Sequence, residues 1–136
     1  MITSVYCSII ALIFIALSIN VIRGRRNFHT ALGDANNIEM LRQIRAQSNL
    51  AEYSPLFIIL LAFSEYQGLQ VSAVHFFGII FIIGRLIHAY SLLKAEEYDM
   101  QNKLTKNPIW RIRGMIITFF TIGILTLIIF GQHILN

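Results

Sequence analysis

The first 22 residues of the chain, MITSVYCSIIALIFIALSINVI, hold no charged side chain. A bilayer-spanning helix needs roughly 20 consecutive, mostly apolar residues, so this stretch is long enough to cross. The first charges arrive together behind it, as Arg23, Arg25 and Arg26. A cleaved leader would place its positive charge before the apolar stretch and end it in small residues. The reversed order here points to a retained helix. Composition agrees, since 56% of the residues are hydrophobic and 13% charged, against roughly 25% charged in a soluble domain. Lys and Arg number 11 and Asp and Glu 7, for a net charge of +4. In so apolar a chain the basic residues serve as topology markers and anion contacts, and no nucleic-acid partner is expected. A single cysteine, Cys7, excludes an internal disulfide and any zinc site built on several thiolates.

Three further apolar regions follow, and the pattern predicts an all-α integral membrane protein. Its one domain is a bundle of four transmembrane helices over about 2–22, 42–66, 71–93 and 111–133. Glu52 and Pro55 interrupt the second region, and the third continues past Arg85 and His88. Gln67-Gly68-Leu69-Gln70 reads as a tight turn, and Gly33-Asp34-Ala35-Asn36-Asn37 as a loop with Asn37 as N-cap of the second helix. The connection after the first helix carries Arg23, Arg25 and Arg26, that after the third carries Lys94, Lys103 and Lys106, and the short turn between carries none. By the positive-inside rule the two longer connections are cytoplasmic and both termini lie outside. Glu96, Glu97 and Asp99 are expected to be solvated in the second of those loops. The runs of Ile, Leu and Phe read as lipid-facing surface.

The informative residues are the polar ones that do not belong in lipid. Arg42, Arg45, Asn49 and Glu52 fall within an arc of roughly 80° on a regular helix and form one polar stripe. An ionisable group inside a span costs roughly 2.5–3.5 kcal/mol on insertion scales, so it faces a bundle interior or a wet cavity and has a partner. Arg85 and His88, three residues apart, share a face of the third helix. Arg111 and Arg113 open the fourth. All lie at the cytoplasmic ends of their helices and can meet at one depth. Several arginines then face a single glutamate, and a ligand with net negative charge would balance them. Each residue also has a plainer explanation. Arg45, Asn49 and Glu52 can be an ion-pair network that sets helix register. Arg85 can snorkel to headgroups, His88 can be a packed helix histidine, and Arg111 and Arg113 can be ordinary boundary arginines.

The segment Arg45-Ala46-Gln47-Ser48-Asn49-Leu50-Ala51-Glu52-Tyr53-Ser54-Pro55-Leu56-Phe57 resembles the second-helix signature of the MAPEG family, membrane-associated proteins in eicosanoid and glutathione metabolism. Gly84-Arg85-Leu86-Ile87-His88-Ala89-Tyr90 is similar to the third-helix segment of bacterial members and of the prostaglandin E synthase branch. Arg111-Ile112-Arg113-Gly114-Met115 resembles the start of the fourth helix in the bacterial branch. The resemblance covers nearly the whole chain in matching order. It implies a homotrimer of four-helix subunits, in a bacterial inner membrane, that binds glutathione between subunits near the cytoplasmic face. On matching positions Arg45 would contact a glutathione carboxylate, Asn49 would hydrogen-bond the peptide, Glu52 would take the γ-glutamyl ammonium and Tyr53 would line the site. Arg85 and His88 would complete it. These roles make chemical sense, because glutathione carries two carboxylates and one ammonium.

The implied chemistry is thiolate activation, in which a guanidinium favours the ionised sulfur. Arg111 and Arg113 are about 200° apart on a helix, so only one can face the site, and Arg111 holds the family position. The chain departs from the prostaglandin E synthase pattern at two places. Ser48 stands where that branch has an arginine, and Leu92 where it has a tyrosine. The sequence therefore predicts a membrane glutathione transferase or peroxidase that joins the thiol to a lipophilic electrophile arriving from the lipid. One alternative is a non-catalytic lipid-binding or scaffold protein of the same fold. Another, a small multidrug exporter using Glu52 as its proton-exchanging carboxylate, is disfavoured because the surrounding arginines would repel a cationic cargo.

Overall fold

A computed structural model of the chain describes residues 1–99, 101 and 103–135. Four long helices carry the structure: α1 (Thr3–Asn27), α2 (Ile38–Tyr66), α3 (Val71–Tyr90) and α4 (Ile109–Leu135). A π-helical turn, Ser91–Ala95, extends α3. Helix α1 outruns its expected end by five residues, so Arg25 and Arg26 sit in its last turn instead of a loop. Cations there meet the partial negative charge of the exposed carbonyls. The Asn37 side chain caps α2, accepting from the Met40 N–H at 3.1 Å. The 67–70 turn falls between α2 and α3, with Gly68 at φ +92°.

Among the described residues, three helical segments, Thr3–Asn27, Val71–Ala95 and Ile109–Ile134, are long and apolar enough to cross a membrane. The second helix is as long, but charge loads its N-terminal half, and it does not meet that standard of apolarity. It is sheltered instead. Helices α2 and α3 each touch all the other helices, while α1 and α4 flank them without touching one another.

The core is built by one face of each helix: Tyr6 and Ile10 of α1, Phe57 and Leu61 of α2, Val74, Phe77 and Phe81 of α3, and Leu125 of α4. The rings of Phe57 and Phe81 stack face to face, 3.8 Å between centroids. Small residues bring helices α3 and α4 together where Gly84 meets Gly114; a Cβ at Gly114 would lie 2.7 Å from the Gly84 carbonyl oxygen. Buried Thr118 and Thr121 donate back to carbonyls of their own helix, at 2.8 Å for Thr118 to Gly114, so neither of these two hydroxyls is stranded. The outward faces are apolar: Leu12, Ile15, Phe119, Phe120 and Leu127 are all more than half exposed. Water would not tolerate so continuous an apolar surface, and lipid does.

Candidate functional site

Near the far end of α2 from the 67–70 turn, the polar stripe meets the last turns of α3 and the first turn of α4. Arg45, Asn49, His88, Leu92 and Arg111 line a cavity of about 110 Å³ there. Four of these five are candidate site residues of the sequence, and the fifth, Leu92, is one of its two departures from the prostaglandin E synthase pattern. Their convergence follows from topology: α2 begins, α3 ends and α4 begins at one end of the bundle, so three elements separate in the chain deliver their polar ends to one depth.

The deepest member is Arg85, only 3% exposed. One guanidinium nitrogen donates to the Asn49 side-chain oxygen at 2.5 Å, and another reaches the Gly114 carbonyl at 3.5 Å. The group lies over the rings of Tyr53 and Phe81, with centroids at 5.5 and 5.8 Å. It does not snorkel. No carboxylate among the described residues pairs with it, and its Nε is buried without a partner. Arg85 therefore brings uncompensated positive charge to the floor of the site, since a guanidinium stays protonated. His88 is buried beside it, pressed against α4 where Gly114 leaves room.

Arg45 and Glu52 pair across about two turns of α2 at 3.6 Å, and both side chains are about half exposed, at 54% and 48%. Arg45 reaches the cavity wall; Glu52 lies outside it, on the same exposed face. Tyr53 is turned inward, edge-on to Phe119 of α4 at 5.7 Å, and supports Arg85 rather than lining the cavity. Arg42 is diverted altogether. It donates to the carbonyls of Leu92 and Glu96, the latter at 3.1 Å, and faces the Tyr98 ring at 5.3 Å. It clamps the π-helical turn. Of the two arginines opening α4, Arg111 lines the cavity, while Arg113 is exposed and stacks on Trp110 at 5.1 Å.

Glu96 overturns an expectation. It is not solvated: it is 4% exposed and its carboxylate accepts from Ser91 Oγ at 3.0 Å and from the Tyr98 hydroxyl. It also pairs with Arg111 at 3.3 Å. Tyr98 lies outside the spans, and burial first, then its bond to Glu96, pushes its phenol above the usual range. The expectation of a single glutamate among the arginines is corrected accordingly: two carboxylates, Glu52 and Glu96, face Arg42, Arg45, Arg85 and Arg111. Positive charge still exceeds negative. No periodicity could have found Glu96, because it follows the last helical turn and is buried by a strap that folds back on itself through the Tyr98–Leu104 bridge. Glu97 and Asp99 are exposed as expected, and Glu97 pairs with Lys106 at 3.1 Å.

Cys7 is exposed on α1. It borders an apolar groove of about 330 Å³ between α1 and α2, away from the polar cavity.

The sequence profile of the MAPEG family matches residues 3–131. The chain is also similar to the inner membrane protein YecN of Escherichia coli strain K12, with 36% identity over 90 residues, 66% of this chain and 69% of that protein. YecN of Escherichia coli O6:H1 shows the same identity and coverage. A four-helix bundle with lipid-compatible outer faces and a family match across nearly its whole length has one consistent assignment: this integral membrane protein belongs to the MAPEG family.

Proposed function

We propose that this protein is a membrane glutathione transferase or peroxidase, which activates the glutathione thiol for attack on a lipophilic electrophile. The observation that carries this reading is the cavity lined by Arg45, Asn49, His88 and Arg111, with the uncompensated Arg85 beneath it. The donor set suits the ligand. Arginines recognise carboxylates through paired N–H groups, Glu52 offers a counter-charge for an ammonium, and Asn49 offers amide chemistry. Family membership supports the same ligand.

Each side chain has a defined task. Arg45 and Glu52 stand on an exposed face, which a second copy in a homotrimer would cover, and they bind the charged ends of the tripeptide there. Asn49 is held by Arg85 and orients the peptide. Arg111 stabilises ionised sulfur, because a guanidinium beside a thiol favours the thiolate over the neutral form. Glutathione supplies the nucleophile; the electrophile enters from lipid along the apolar helix faces. The membrane is a bacterial inner membrane, with both termini outside and the site near the cytoplasmic face, as the loop arginines and lysines direct.

Leu92 favours a second reading, a lipid-binding or scaffold protein of the same fold without turnover. It forms part of the cavity wall, so that wall presents hydrocarbon where the prostaglandin E synthase pattern has a phenol. Isothermal titration of the detergent-purified protein with glutathione separates the two. Binding is expected, weakened about tenfold or more by Arg45→Ala and by Glu52→Gln, each of which removes a charge-assisted contact. No heat at millimolar glutathione would sink the transferase reading.

A further inference from the structure

Among the described residues, the one carboxylate buried at this end of the bundle belongs to Glu96, and three side chains converge on it. Ser91 of the π-helical turn and Tyr98 of the strap both donate to it, and Arg111 of α4 pairs with it. A fourth residue, Arg42 of α2, holds the Glu96 backbone through its carbonyl oxygen. Taking a carboxylate out of water is costly unless its lone pairs are satisfied; here both oxygens are. The pairing also differs from a surface ion pair, which two mobile side chains hold poorly. The Glu96 side chain is 1% exposed and the Arg111 side chain 35%, so a fixed anion holds a partly free cation.

That cation is the one α4 arginine on the cavity wall. A guanidinium has five N–H donors in a rigid plane. Through Nη1 Arg111 meets Glu96, which leaves its other donors for the cavity. The charged and titratable groups around the pair are Arg42 and Arg45 from α2, His88 from α3, and Tyr98 from the strap.

We infer that Glu96 is a positioning residue for thiol activation: its carboxylate, fixed by Ser91 and Tyr98, anchors one edge of Arg111 so that the rest of the guanidinium faces the cavity. This rests on the proposed role of Arg111. Glu96 touches no ligand itself. The strap that carries it thereby becomes part of the reaction machinery, because a guanidinium on a long flexible stem stabilises an anion well only when its orientation is settled beforehand.

The test is the ultraviolet titration of the bound glutathione thiolate on the full-length protein in detergent, with affinity measured in parallel. Arg111→Ala is expected to raise the apparent pKa of the bound thiol by about one unit, about tenfold less thiolate below it. Glu96→Gln keeps the shape and removes the anchor. It is expected to shift the titration in the same direction by a similar amount, with affinity kept within about threefold; Glu96→Asp restores part of the loss. The double variant should be no worse than Arg111→Ala, since residues acting through one another are not additive. A titration unmoved by Glu96→Gln while Arg111→Ala moves it overturns the inference and leaves the Arg111 assignment standing. So does a shift to lower pH, the sign expected if Glu96 only diluted the charge of Arg111. An Arg111→Ala variant with a wild-type titration overturns both. Should Glu96→Gln fail to fold, Ser91→Ala and Tyr98→Phe each remove one anchor and should shift the titration upward by less; two unmoved titrations overturn the inference.

Discussion

Arg85 on α3 and Asn49 on α2 are joined by a 2.5 Å hydrogen bond from the guanidinium to the amide oxygen, with both residues buried. No carboxylate among the described residues shares Arg85, so a neutral amide, two backbone carbonyls and two aromatic faces carry a full positive charge. Hydrogen bonds to charged groups are worth about 1.5–3 kcal/mol. Asn49→Ala should therefore destabilise the bundle by about that amount, measured by reversible unfolding in mixed micelles. An unfolding curve identical to that of the wild type would show that the bond contributes nothing.

The contact between Gly84 and Gly114 admits no side chain. A methyl on Gly114 would stand 2.7 Å from the Gly84 carbonyl oxygen and 2.9 Å from His88 backbone nitrogen and Cβ, and backbone cannot swing aside as a flexible side chain does. Gly114→Ala should cost about 1–3 kcal/mol through overpacking and should weaken glutathione binding by displacing His88. Gly123→Ala meets nothing within 4 Å and serves as the control, with stability equal to or above the wild type. Equal stability of both variants would refute the close-contact account.

Arg111 and Arg113 sit two residues apart and face opposite environments. Arg111→Ala should lower kcat for conjugation of glutathione to 1-chloro-2,4-dinitrobenzene by about tenfold or more, the size of effect seen when one group stabilising an anion is removed. Arg113→Ala should leave kcat within about twofold, since its guanidinium is exposed and rests on Trp110. The reverse ranking would place the wrong arginine in the site.

Tyr98 gives a prediction about pH. Its phenol is held above the ordinary value of 10.0, first by burial and then by its bond to Glu96. A folded-state pKa raised above the unfolded value contributes stability that is fully present below the unfolded value and lost as pH rises through the folded one. Stability of the wild type relative to Tyr98→Phe should therefore be constant at neutral pH and fall above about pH 10. The phenolate absorbance that disappears in Tyr98→Phe should titrate above pH 10 as well. A titration at or below 10 would contradict the buried hydrogen bond.

Much of this architecture is legible along the chain, because a membrane imposes rules that operate on runs of residues. The apolar stretch before Arg23, the turn at Gly68 and the cap at Asn37 each announce themselves locally. The stripe of Arg45, Asn49 and Glu52 is legible too, since helical spacing alone puts them on one side. Arg42 belongs to the same arc yet serves another purpose. Its side chain is long enough to reach the end of α3, and spacing on α2 says nothing about what lies opposite.

The sequence by itself thus determined the solvent, the number of helices and the polar face of α2, because hydrophobicity and helical periodicity are sums over neighbouring residues. Tertiary structure alone decided that Glu96 is buried, that Arg113 turns away and that Arg85 rests on Asn49. Those outcomes depend on the angle at which α3 and α4 meet and on where the strap folds back. Both are set by close contacts that helical spacing does not report, Gly84 with Gly114 and Glu96 with Ser91, Tyr98 and Arg111.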